Sequence, residues 1–117
     1  MANLLFVCHS PSANTGALRE AAVSAVAALD SGALAFRVLA PPDASAADLD
    51  WCDGILIGTT ENFGYMAGLT KDFFERIYYP CLESTRGLPF ALYIRAGEDG
   101  RGTRESVDRI VTGLRWR

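Results

Sequence analysis

Between a short apolar run, Leu4 to Cys8, and a stretch of helical periodicity that begins at Thr15 stand the residues Ser10-Pro11-Ser12-Ala13-Asn14-Thr15. Small hydroxyl and amide residues at a strand-to-helix junction gather backbone NH groups, side-chain donors and the positive end of a helix dipole around one anion. The segment holds no lysine. Neither the GxxxxGK loop that neutralises a triphosphate with Mg²⁺ nor the GxGxxG dinucleotide fingerprint occurs. The chemistry that remains is capture of a single terminal phosphate by neutral donors: the hydroxyls of Ser10, Ser12 and Thr15, the amide of Asn14, and the backbone NH groups around Ala13. The competing reading is an ordinary capped loop, because Ser, Asn and Thr are preferred at helix starts in any case.

A second stretch, Gly58-Thr59-Thr60-Glu61-Asn62-Phe63-Gly64-Tyr65-Met66-Ala67-Gly68-Leu69-Thr70-Lys71-Asp72-Phe73-Phe74, follows another apolar strand. Taken together, the two segments resemble the flavodoxin superfamily. The first is similar to its S/T-x-T/S-G-N-T pattern, with Ala13 where glycine is usual, and the second to the loop and helix after the third strand of its NAD(P)H-dependent FMN and quinone reductases. The resemblance runs through the whole chain in register. It implies a three-layer, doubly wound parallel sheet and an FMN cofactor whose phosphate sits in the Ser10–Thr15 loop. It further implies that Thr60, Glu61, Asn62, Phe63, Gly64 and Tyr65 border the flavin ring, with Phe63 or Tyr65 offering an apolar face and Gly64 a tight turn. A third loop, Ala96, Gly97, Glu98 and Asp99, would wrap the pyrimidine side. The implied activity is hydride transfer from NAD(P)H to flavin N5 and onward to a quinone-like acceptor, with the flavin rather than any side chain carrying the chemistry. Two other outcomes fit the same fold: a flavodoxin passing single electrons between proteins, and a domain without catalysis. A homo-oligomer is expected by analogy.

Composition bounds the alternatives. With 117 residues the chain is expected to form one domain, and half of it is hydrophobic. A net charge of −3 argues against a nucleic-acid surface, because phosphate-backbone binding needs uncompensated Lys and Arg. The late arginines, from Arg101 to Arg117, are interleaved with acids as far as Asp108. The opening residues carry no positive region and the first apolar run is short, so a cytoplasmic protein without a membrane span is expected. Three widely spaced cysteines and a single histidine indicate neither a disulfide framework nor a zinc site, and reduced, buried thiols are expected. His9 has the pKa range of a proton donor, although a packed structural histidine is the commoner case.

The elements that must position these loops alternate. Leu4–Cys8, Phe36–Leu39, Ile55–Ile57 and Leu88–Ile94 read as strands buried on both faces. Thr15–Leu29 reads as a helix with one packing stripe (Leu18, Ala21, Ala22, Ala25, Val26, Leu29), stopped by Asp30-Ser31-Gly32. Ser45–Asp50 reads as a single helical turn, Met66–Tyr79 as a helix ended by Pro80, and the stripe Val107, Ile110, Val111, Leu114 as the last helix. The expected strand order is 2-1-3-4. A fifth strand and its helix are expected to be missing, which would leave the fourth strand as an open edge.

Overall fold

The computed structural model describes residues 1–29 and 32–117. Asp30 and Ser31, expected to stop the first helix, lie outside the described residues. Strands β1 (Ala2–Cys8), β2 (Leu34–Leu39), β3 (Gly54–Asn62), β4 (Tyr65–Met66) and β5 (Phe90–Arg95) alternate with helices α1 (Ala13–Ala28), α2 (Ala46–Trp51), α3 (Gly68–Cys81) and α4 (Arg101–Leu114). A 3₁₀ turn at Pro41–Asp43 leads into α2.

The sheet has five strands, and this corrects the expected missing strand. Four are parallel in the order β2-β1-β3-β5, and β4 pairs antiparallel with the far end of β3. The apolar-run reading missed β4 because it is two residues long and hairpinned to its neighbour. It also closed the third strand too early. Gly58, Thr59 and Thr60 continue β3 and pair with Tyr93, Ile94 and Arg95, so a strand read as three residues spans nine. The edge of β5 is not fully open either. Arg117 N donates to Leu88 O at 2.8 Å and Phe90 N donates to Arg117 O at 2.9 Å.

Alternation along the parallel strands separates two faces. Leu5, Val7, Ile55 and Ile57 join Leu49, Phe73, Phe74, Ile77, Val107, Val111, Leu114 and Trp116 in the main core beneath α2, α3 and α4. Over the opposite face, with Leu4, Phe6, Cys8, Leu56 and Tyr93, α1 is the one helix among the described residues, its Val26 beside Leu4 and Leu56. The stripe expected on α1 is correspondingly not buried: Leu18 is 41% exposed and Leu29 87%, and Thr15 is the buried residue of that helix. The inner side of this helix, Thr15, Gly16, Arg19, Ala22, Val23 and Val26, is made mainly of small residues and covers little area. Pro80 does not end α3 but sits in its last turn, and the helix runs one residue further.

Candidate anion and ring-binding site

Ser12 caps α1 in extended backbone (φ −138°) and closes a reciprocal box with Thr15. Ser12 N donates to Thr15 Oγ1 at 2.9 Å, Thr15 N donates to Ser12 Oγ at 3.3 Å, and Thr15 Oγ1 donates to Ser12 O at 3.0 Å. These two hydroxyls therefore serve the helix start, and Thr15 is only 3% exposed. The helical ladder opens with Gly16 N on Ser12 O. Ahead of it, the amides of Ala13 and Asn14 point out of the first turn as donors with no carbonyl of their own helix to bind. Ala13 takes ordinary helical backbone, so its conformation does not demand the glycine usual in the resembling pattern. Ser10 contributes what the capping pair does not. Its Oγ is buried and has no hydrogen-bond partner.

Behind this loop the sequence reading missed two residues. Arg19, one turn into α1, folds back so that Nη2 approaches Gly16, and its charge reaches Cys8 and Tyr93. Arg19 Nε donates to Glu20 Oε1 at 3.1 Å, so the charge beside the loop is already paired, and the signal for its position was its helical spacing from Thr15. Tyr93 lies opposite Gly58 in register, and its ring crosses the glycine, where an added Cβ would strike the phenol. His9 N donates to Gly58 O at 2.9 Å, tying the exit of β1 to β3. Burial lowers the pKa of His9 below its ordinary 6.5, so the ring is neutral at pH 7.

The second loop is the β3–β4 hairpin. Phe63 (φ +56°) and Gly64 (φ +74°) both adopt left-handed backbone, as a tight two-residue hairpin requires. Phe63 is fully exposed and Tyr65 39% exposed, so both rings are displayed rather than packed. Thr60 Oγ1 donates to Asn62 Oδ1 at 3.1 Å, and Glu61 pairs with Met66. Beneath them Thr59 Oγ1 accepts from Ala67 N at 3.3 Å and lies 2.9 Å from Thr70 Oγ1, fixing the turn into α3.

The third loop joins β5 to α4. Gly100 (φ +71°) starts the helix, and Asp99 Oδ1 accepts from Arg101 N at 3.0 Å, so Asp99 is committed to the helix end. Gly97 and Glu98 are exposed, and Ala96 is half-buried. A cleft of about 430 Å³ opens beside Ile94, Ala96, Glu98, Asp99 and Arg104. Gly102 was also missed: its Cα packs against the Gly64 carbonyl, where a Cβ would collide, so the second and third loops touch.

All three loops leave the carboxyl ends of adjacent strands, β1, β3 and β5, where open α/β sheets bind ligands. No protein-family model matches the sequence, and no curated protein does. Solved structures do match. An oxidoreductase from Corynebacterium diphtheriae superposes with a TM-score of 0.73 at 19% identity, over 100% of this chain and 77% of its own. A flavodoxin from Pseudomonas aeruginosa gives 0.68 at 19%, over 98% of this chain and 76% of its own. The fold is flavodoxin-like. A flavoenzyme NAD(P)H:(acceptor) oxidoreductase from Paracoccus denitrificans gives 0.69 at 15%, over 99% of this chain and 74% of its own. Against this flavodoxin-like frame the loop residues named from the sequence converge on one end of the sheet. Two apolar features lie elsewhere: the α3–α4 groove of about 220 Å³ at Phe74, Tyr78, Tyr79 and Ile110, and the shallow floor beside α1.

Proposed function

We propose that the chain binds FMN at this sheet end and works as an NAD(P)H-dependent oxidoreductase with a quinone-like acceptor. The observation that carries the reading is the convergence of an anion-ready helix start, holding a buried and unpartnered Ser10 hydroxyl, with a hairpin that displays Phe63 and Tyr65. The residues fit the cofactor. Ser10 and the amides of Ala13 and Asn14 would hold the phosphate. Phe63 or Tyr65 would face the ring, and the backbone of Ala96–Asp99 would meet its polar edge. FMN, when bound, supplies the two-electron chemistry between nicotinamide and acceptor.

The side chains here bind and orient. The backbone NH of His9 holds the turn, and its half-buried ring is neutral at pH 7. The fully exposed face of the hairpin leaves room for a flat substrate to approach and leave. Matched structures named as NADH:FMN and NAD(P)H:(acceptor) oxidoreductases support the enzyme reading. Matched flavodoxins support the one-electron carrier as the second reading. The test is NAD(P)H oxidation by FMN-loaded protein with a soluble quinone. Turnover supports the enzyme, whereas bound FMN without turnover from either nucleotide favours the carrier.

A further inference from the structure

Among the described residues, the buried side-chain oxygens without a hydrogen-bond partner are Ser10 Oγ, Tyr93 Oη and Thr103 Oγ1. The first two meet at one place. Cys8, Gly58 and Tyr93 lie side by side across β1, β3 and β5. Because Gly58 has no side chain, the Tyr93 phenol crosses it and ends beside Cys8 and Ser10, at the foot of the anion loop. Both groups lie close enough to act electrostatically on the phenol, yet Tyr93 Oη and Ser10 Oγ have no hydrogen-bond partner.

This arrangement costs stability twice. A glycine inside a strand weakens it, and a buried hydroxyl without a partner forfeits its hydration. A phenylalanine at position 93 would fill the same space without the second cost. Burial also raises the phenol pKa far above its ordinary value, so the group remains a proton donor at every working pH. It is a donor held ready beneath a loop whose outer side is built to meet an anion.

We propose that Tyr93 is a phosphate-positioning residue: on ligand binding its hydroxyl donates to Ser10 Oγ, which turns the Ser10 proton toward a phosphate oxygen. The two hydroxyls then act in series, each polarising the next. The inference rests on the FMN reading and adds to it a residue from a different strand. It makes selectivity for FMN over riboflavin depend on a group that touches neither ring nor phosphate.

The test is Tyr93→Phe and Ser10→Ala, singly and together, titrated with FMN and with riboflavin, alongside thermal melts without ligand. Tyr93→Phe should weaken FMN about tenfold, roughly the worth of one hydrogen bond, and leave riboflavin unchanged. Its ligand-free melting temperature should stay level or rise. The double variant should bind FMN no worse than Ser10→Ala alone. Unchanged FMN affinity, equal losses for both ligands, or a lowered ligand-free melting temperature overturns the proposal, the last because it would show a partner within the fold. Wild-type protein that does not prefer FMN to riboflavin overturns the phosphate reading itself, and this relay with it.

Discussion

Ser12 and Thr15 show how a residue type and its use separate. Both belong to the hydroxyl-rich segment read as a phosphate loop, and both spend their hydroxyls on each other at the start of α1. Ser12→Ala should therefore destabilise the fold by about 1 kcal/mol through the lost cap, measured by denaturant melts without ligand. The segment was legible because its composition is unusual. Which hydroxyl stays free was not, because capping depends on the backbone angle of Ser12. Tyr93 was invisible for another reason: within an apolar strand it reads as core, and only the register with Gly58 shows its reach. His9 gives a pH prediction. Its folded pKa is lowered by burial, so between that value and 6.5 the unfolded chain binds more protons and stability falls as pH falls. The contribution is fully present above pH 6.5, and His9→Gln should flatten the stability profile just below it. An unaltered slope would remove the burial argument.

At the level of elements, the β3–β4 hairpin departs furthest from simple pattern. Its glycine announced a turn, but a turn of this kind also places Phe63 at positive φ, a conformation that costs a bulky residue about 1–2 kcal/mol. Phe63→Asn should raise stability by part of that amount while weakening FMN binding, two opposite signs that separate strain from packing. If it changes neither, the exposed ring has no assigned role. Gly102→Ala should separate α4 from the Gly64 carbonyl, lowering both stability and cofactor affinity in paired melts and titrations. No sequence signal marked Gly102, since its partner is backbone. The main strands and helices were legible from period alone; the extent of β3 was not, because Gly58-Thr59-Thr60 reads as a stop and only pairing with β5 carries the strand through it.

For the whole molecule, the main core closes on Trp116. Its Nε1 donates to Thr85 Oγ1 at 2.9 Å, and its ring lies 6.2 Å from Phe74 and 6.3 Å from Phe90. Trp116→Ala should cost about 3–5 kcal/mol, read by chemical denaturation; a loss under 1 kcal/mol would show that this corner packs loosely. Burial raises the pKa of all three cysteines, Cys52 to about 11. Among the described residues no helix is long and apolar enough to cross a membrane. The continuous apolar runs, alternating with helices, forecast a sheet covered on both faces. They did not forecast that one layer would be a single helix with one buried residue.

That thin layer sets the order in which the molecule comes apart. Helix α1 carries the proposed anion loop at its head yet has one buried residue, so its local opening is expected to cost little. Amide exchange should be fastest there, and a phosphate at its first turn should slow exchange along the whole helix. If FMN binds as proposed, its loss and the fraying of α1 should be one event that precedes collapse of the sheet.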